Sequence, residues 1–444
     1  MARPMKNSMA PWIGMMPEKW KLHRLKSCIS SRASGAWGVE ATGKVGDMIC
    51  LRIADFDYPR FAFKDTPIEN LTKRNYDQDT INSLLLKRGD ILVEKSGGGE
   101  TTPVGRTVIF DKEYPALFAN FMDRLRCSEL ISSKWLQYVL VTFYKNGFSR
   151  NYIKQTTGIQ NLDLTSLLAS ERIPVPTKDE QQQIVTFLDA KCARIDAVIE
   201  QTRASIEEYK KLKQSVITQA VTKGIRPNRP MKDSGIAWIG QTPIGWNTYR
   251  IANLFDERNE SGQEDLPILT VSINTGISDH EVADEEQIRA FVRSEDRTKY
   301  KRVFPGDLAY NMMRAWQGAF GAVRVDGMVS PAYVVAKPKG DIKLDSRYME
   351  ALLRTPTGIE EMHRFSYGVA DFRLRLYWPE FKNICVCIPP YKEQKEIADY
   401  IDEKSREIDR LIDTKNQLLI ELDAYKKTVI YEYVTGKKEV PVCQ

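Results

Sequence analysis

The stretch Pro176–Thr222, PTKDEQQQIVTFLDAKCARIDAVIEQTRASIEEYKKLKQSVITQAVT, recurs without a gap as Pro389–Thr435, PPYKEQKEIADYIDEKSREIDRLIDTKNQLLIELDAYKKTVIYEYVT, at an offset of 213 residues. Glu180-Gln181 falls on Glu393-Gln394, Ile184 on Ile397, Asp189 on Asp402, Lys191 on Lys404, and Ile195-Asp196 on Ile408-Asp409. Self-similarity at a fixed offset constrains the architecture before any motif does. Each copy follows a proline, opens with acidic residues (Asp179-Glu180; Glu393) and runs for roughly 45 residues without Gly or Pro, which predicts one long helix per copy. Leu188, Ile195, Tyr209 and Val216 recur in a sevenfold frame, matched by Ile401, Ile408, Leu422 and Val429. Three residues on stand Val198 and Leu212, matched by Leu411 and Tyr425, while Ile199, Ile206, Ile412 and Leu419 widen the stripe. The pattern predicts a coiled-coil or bundle seam, and ~1.5 Å per residue gives each helix about 65 Å.

A second segment is repeated. Ser8–Arg24 (SMAPWIGMMPEKWKLHR) matches Ser234–Arg250 (SGIAWIGQTPIGWNTYR) at an offset of 226, pairing Trp12 with Trp238, Pro17 with Pro243 and Trp20 with Trp246. The chain is therefore two halves in tandem, each a W-I-G lead-in, a globular body and a long helix. The offset falls from 226 to 213, so the second body is 13 residues shorter. Gly224–Asp233 (GIRPNRPMKD) reads as a linker. The expected division is 1–172, a first body; 173–224, a helix; 225–386, a second body; and 387–444, a second helix.

Each body reads as α+β. Short β-rich runs cover Met48–Ile53, Asp90–Glu94 and Val108–Phe110 in the first, and Ile268–Ile273, Asp307–Asn311, Gly321–Val325 and Tyr333–Ala336 in the second. Ser133–Tyr144 and Ser346–Leu353 read as helices, and Gly89-Asp90 and Gly306-Asp307 introduce equivalent strands. The second body joins the end of one helix to the start of the other, and the ends of a compact domain lie close together. Two antiparallel helices with one body at each end follow, a pseudo-twofold arrangement in which Thr202 and Lys415 put polar groups into the seam near its middle.

Composition bounds the function. Apolar content of 42%, charged content of 28% and a net charge of +6 fit a soluble protein that tolerates an anionic partner. No apolar run reaches membrane-spanning length and Met1–Gly14 lacks a signal core, so the expected location is the cytoplasm. Seven cysteines, among them Cys385, Cys387 and Cys443, form no C-x-x-C, and buried thiols are expected in place of zinc. Gly99–Thr107 is one residue too long between its glycines for a phosphate loop and has Arg106 where Lys belongs. No other catalytic motif is present, so no catalytic or metal-binding residue is assigned.

Two sets of loops carry groups that read nucleic acid. In the first body these are Lys95, Ser96, Gly98, Thr101, Thr102 and Arg106, followed by Arg150, Asn151, Lys154, Gln155, Thr157, Gln160 and Asn161. In the second they are Asn311, Arg314, Trp316 and Gln317, then Arg364, Tyr367, Arg373 and Arg375. Amides suit adenine, guanidinium groups suit guanine, and glycines allow close approach to a phosphate. The alternative is solvated loops with incidental charge.

Taken together, the tandem W-I-G…P…W segments, the two unlike bodies with Gly-Asp strands and the two P-x-x-x-E-Q…I…D helices resemble the specificity subunit of type I restriction–modification enzymes over nearly the whole chain. The resemblance implies that the bodies are target-recognition domains, each reading one half of a split, asymmetric site in double-stranded DNA. It implies that the helices are conserved-type spacers that set the half-site separation and dock two methyltransferase subunits. Two restriction–translocase subunits would complete the complex, and S-adenosylmethionine, ATP and Mg²⁺ would belong to those partners, with no cofactor in this subunit and no membrane. A recognition subunit of a type IIB-like system, or a two-headed protein-assembly scaffold, are the alternatives.

Overall fold

The computed structural model describes residues 3–156, 158–281, 297–368 and 374–441; Thr157, Arg373 and Cys443 lie outside them. The repeated stretches form α-helices Lys178–Lys223 and Tyr391–Val434, of 46 and 44 residues. Each is followed by a glycine in the left-handed region, Gly224 (φ 75°) and Gly436 (φ 72°), where an L side chain is disfavoured. The chain divides into two compact units, Met1–Arg203 with Asn416–Gln444, and Ala204–Lys415. Each unit is α+β and holds one body with half of each helix.

Within each unit the helix halves run antiparallel. In the first, Phe187 meets Tyr433 with ring centroids 4.6 Å apart and Asp196 meets Lys426 at 2.7 Å, so partners descend along one helix as they ascend along the other. In the second, Lys415 sits 5.6 Å over the Tyr209 ring, Lys213 pairs with Asp409 at 2.7 Å and Arg226 with Glu396 at 2.7 Å. Asp196 and Asp409 are repeat equivalents, as are Lys213 and Lys426. The same ion pair thus occurs once in each unit with the roles of the helices exchanged.

The seam itself is shifted from the sequence expectation. Leu188, Ile195, Ile401 and Ile408 are buried as anticipated, and Tyr209 and Leu422 are half-buried. Val198, Leu212, Leu411 and Tyr425, however, are 43%, 49%, 41% and 46% exposed. The second row of the seam lies four residues on, at Cys192 and at Ile199 and Ile206, which were expected to widen the stripe, with Lys426 and Tyr433 in the other helix. A sevenfold frame gives the period but not which flank the partner covers. Thr202 is buried with its hydroxyl donating to Val198 O at 2.7 Å, so its polar group is satisfied within its own helix.

The repeated residues outside the seam tie each body to its helix. The Trp12 and Trp238 indoles donate to Arg172 O and Cys385 O, both at 3.1 Å. Those of Trp20 and Trp246 donate to Glu180 (2.8 Å) and Glu393 (3.3 Å), which also pair with Arg3 and Arg229. The Gln181 amide accepts from Ser132 N–H at 2.9 Å and donates to Leu130 O and Pro176 O. Gln394 repeats this with Asp345 N–H, Lys343 O and Pro389 O. Both glutamines are 1% exposed, so these bonds replace water completely.

Each body is built around one buried strand between two cores. Ile91–Glu94 lies between Thr107–Ile109 and Met122–Cys127, antiparallel to both, and Ile29–Ser34 completes the sheet. Ile91 and Val93 face one core and Leu92 the other, which is why the strand reads as a continuous apolar run. Leu308–Asn311 is its counterpart between Phe320–Ala322 and Tyr333–Pro338. The Gly-Asp pair before each strand is a turn. Gly89 (φ 91°) and Gly306 (φ 98°) need the left-handed region, while Asp90 and Asp307 accept the N–H of Lys87 and Phe304 and pair with Arg126 and Arg258. Helices Ser133–Lys145 and Ser346–Leu353 match expectation. The run Ile268–Ile273 does not: only Val271–Ser272 is strand, because the Ser278 hydroxyl and Glu281 carboxylate capture the N–H groups of Thr270 and Ile268.

Replacing Gln181 or Gln394 by Ala leaves a buried N–H and two carbonyls unpaired. Each substitution is expected to cost about 1–3 kcal/mol in denaturant unfolding, and by similar amounts, since the bonds are the same in both units.

Candidate nucleic-acid interface

The buried strand of each body runs out into a loop, and a loop from far along the chain is brought back beside it. In the first body Ser96–Gly97 continues from Ile91–Glu94 and pairs with Ile159–Leu162, which pairs in turn with Ile153–Thr156. Leu162 N–H donates to Lys95 O at 2.7 Å. The second body repeats the tie, with Leu376 N–H donating to Met312 O at 2.9 Å, and Tyr367 and Arg375 exchange backbone hydrogen bonds at the base of the late loop. The two loop sets read from sequence as separate are one surface in each body.

On the first surface, Ser96 Oγ donates to Asn161 Oδ1 at 2.7 Å, and Lys154 lies opposite Asn161, as Gln155 lies opposite Gln160. Thr101, Thr102, Arg150, Asn151, Lys154, Gln155 and Asn161 are exposed. Gly98 (φ 63°) belongs to a turn in which Gly99 N–H donates to Thr102 O, and a Cβ there would come within 2.9 Å of that same carbonyl. Lys154 pairs with Asp163 at 2.8 Å, and this bond holds the Asp163 carboxyl well below the usual range.

Two residues of the predicted set point inward. Arg106 makes a bidentate pair with the buried Glu94 carboxylate, both bonds 2.7 Å, and stacks 3.6 Å over the Tyr58 ring. Gln160 is buried and accepts from Val104 N–H at 3.3 Å. Both make bonds within the fold, Arg106 through two of its nitrogens and Gln160 through its amide oxygen. Lys95 is intermediate: its ammonium reaches Asp123 and Ser34, each at 2.9 Å. Asp123 is fully buried and also takes Arg32 at 2.6 Å. Burial pushes its carboxyl up, but the hydrogen bonds from Lys95, Ser34 and Arg32 outweigh burial and hold it below the ordinary carboxylate range.

On the second surface Gln317, Arg364, Tyr367 and Arg375 are exposed, and Asn311 and Arg314 are half-buried. Asn311 Oδ1 caps the Met313 N–H at 2.9 Å. Trp316 donates to Met313 O and packs edge-on to His363, so its ring supports the loop. Arg364 forks onto Glu361 at 2.7 and 2.8 Å.

Sequence reasoning missed Arg32, Ser34 and Asp123, which hold Lys95 in place, and Phe121, whose carbonyl accepts the N–H of Lys95 and Ser96 and whose ring is 50% exposed. Strand pairing brings these together, and no local signal marks them. Among the described residues no group of His, Cys, Asp or Glu could hold a metal, and no helix is long and apolar enough to cross a membrane.

Comparison with known proteins fits this architecture. Residues 44–208 match the family model for the type I restriction modification DNA specificity domain. The chain is 22% identical to a protein of Methanocaldococcus jannaschii assigned as the specificity subunit of the type I restriction enzyme MjaX, over 96% of each chain. It is also 22% identical to the StySPI type I restriction enzyme specificity subunit of Salmonella potsdam, covering 78% of this chain and 74% of that one. Among solved structures, a chain from work on complex assembly and conformational transition of the type I R-M system superposes with a TM-score of 0.66 at 13% identity, over 95% and 99% of the two chains. The HsdS subunit of Thermoanaerobacter tengcongensis superposes with a TM-score of 0.51 at 14% identity, over 95% and 98%. These structures share the fold.

Asp123→Asn removes the anion that three donors share and is expected to destabilise the protein by about 3 kcal/mol at neutral pH. Because the folded carboxyl titrates below its unfolded value of ~3.9, its contribution is present above that pH and fades as pH falls through the folded value. The gap between wild type and variant in urea melts should therefore begin to narrow only below about pH 4 and keep closing as pH falls further; an equal gap at all pH values would refute the assignment.

Proposed function

We propose, for a chain that belongs to the family of type I restriction–modification DNA specificity subunits, that its two bodies each read one half of a split target in duplex DNA. The chain is the specificity component of such a system and not its catalytic part. The observation that carries the two-headed reading is the repeated tie between strand-exit loop and late loop, which presents one polar surface per body with different side chains. The division into recognition domains 1–172 and 225–386 with spacers 173–224 and 387–444 belongs to this proposal. So does base contact by Ser96, Arg150, Asn151, Lys154, Gln155 and Asn161 in the first body, and by Asn311, Arg314, Gln317, Arg364, Tyr367 and Arg375 in the second. Lysine and arginine would anchor phosphates, while amide and guanidinium groups discriminate bases.

Docking of two methyltransferase subunits is the natural use of a repeated outer surface. Val198 and Leu411 are repeat equivalents, as are Leu212 and Tyr425, and all four are exposed apolar side chains on the helices. Apolar groups kept out of the seam at equivalent positions suit two copies of one partner. Restriction–translocase subunits, S-adenosylmethionine, ATP, Mg²⁺ and an intracellular location follow from the same reading, with the cofactors in the partners.

Sequencing the methylated bases of the host genome is expected to give one asymmetric motif in two parts. A continuous or palindromic motif would overturn the two-headed reading. Arg150→Ala and Gln155→Ala are expected to relax base choice by about 1–3 kcal/mol per lost bidentate contact, in one half of the motif only. Removing one turn from the first helix should change the spacer and leave both halves intact.

A further inference from the structure

We propose that Lys426 is the positioning residue that seats the first recognition body on the helix pair and so fixes the half-site separation, an inference that rests on the two-headed reading above. Lys426 occupies a seam position and is 4% exposed. Its ammonium holds Asp196 at 2.7 and 2.8 Å, donates to Pro59 O of the first body at 2.6 Å, and lies 4.7 Å over the Phe61 ring. A buried ammonium needs a full set of partners, and here a backbone carbonyl of the recognition body supplies one of them.

The segment it holds is itself constrained. Phe61 adopts φ 55°, a left-handed conformation that a bulky residue keeps only when its surroundings impose it. The Gln137 side chain donates to Phe61 O at 2.6 Å from one side, and Lys426 sits against the ring from the other. Beneath the segment lies a cavity of about 410 Å³ bordered by Tyr58, Phe61, Arg106, Asp196 and Lys426. Lys145 and Asp423, which pair at 2.9 Å, border the same cavity, so charged contacts and not close packing hold the body's edge against the helices here. The repeat equivalent, Lys213, pairs with Asp409 but is 31% exposed and holds no segment of the second body among the described residues. Among the described residues the device is present in the first unit alone.

The test uses the full chain with its methyltransferase partner, on duplexes carrying the native half-sites at the native spacing and at spacings one base pair longer or shorter. Wild type is expected to prefer the native spacing by at least about tenfold, because one base pair displaces a half-site by ~3.4 Å. Lys426→Met should bring that preference to within about threefold without changing the bases read. Lys213→Met should keep the wild-type preference. Phe61→Ala leaves the Lys426–Asp196 pair intact and is expected to act as Lys426→Met does, so it carries the test if the latter does not fold. The exchanged pair Asp196→Lys with Lys426→Asp restores the ion pair but not the bond to Pro59 O, and should recover thermal stability without recovering spacing preference. A folded Lys426→Met or Phe61→Ala protein with wild-type spacing preference overturns the proposal, as does its recovery in the exchanged pair. Absence of any split target in wild type would instead overturn the two-headed reading itself.

Discussion

A lysine placed at a buried position of an otherwise apolar seam must find an anion, and that requirement selects one register among several that apolar packing alone would accept. Leu, Ile and Val side chains interdigitate almost equally well after a shift of one heptad. Asp196 with Lys426, buried in the first unit, does not tolerate such a shift, because it would leave an ammonium and a carboxylate unpaired at a cost of about 3–5 kcal/mol, whereas Asp409 with Lys213 is half-exposed and constrains its unit far less. The buried pair adds little to stability compared with an apolar substitute. What it contributes is a single alignment of the two helix halves in the first unit, against which the first body is then placed.

The second layer of constraint lies where body meets helix. Glu180-Gln181 and Glu393-Gln394 look like ordinary acidic first turns, and their charges do favour a helix start. Their larger role is to bind the body. The glutamates take an indole and a guanidinium from the lead-in, and the glutamines close three backbone groups that would otherwise be buried unpaired. Several repeated residues, the two glutamines and Trp12 with Trp238 among them, thus have backbone groups as partners. A backbone carbonyl does not change with sequence, so such contacts survive while the bodies they hold diverge.

That distinction explains what could be read from the sequence. The two helices, their ends and the strands announced by Gly89-Asp90 and Gly306-Asp307 rest on local rules of capping, turn geometry and periodicity, and these were legible. The flank of the seam was not. Val198 and Ile199 are both apolar neighbours, and only the position of the other helix decides that Ile199 turns in and Val198 out. Among the loop residues, Arg106 has the charge and setting of a phosphate ligand. Its pairing with Glu94 arises because Val93 faces Thr107 across the sheet, a consequence of strand register that composition does not encode. Gln160 likewise bonds Val104 N–H across the fold, while Trp316 makes only a local bond to Met313 O.

A surface made to read bases has to be polar and yet rigid, and these two demands conflict, because exposed polar side chains are entropically loose. The first body reconciles them by building its reading edge as a short sheet, with Ser96 locked to Asn161 and Lys95 to the buried Asp123. The neighbouring Arg150, Asn151 and Gln155 remain exposed on that scaffold. In the second body, among the described residues, the late loop is held by the backbone pair Tyr367–Arg375, by Leu376 N–H on Met312 O, and by Trp316 against His363. The two edges are therefore stiffened by different contacts and present different side chains.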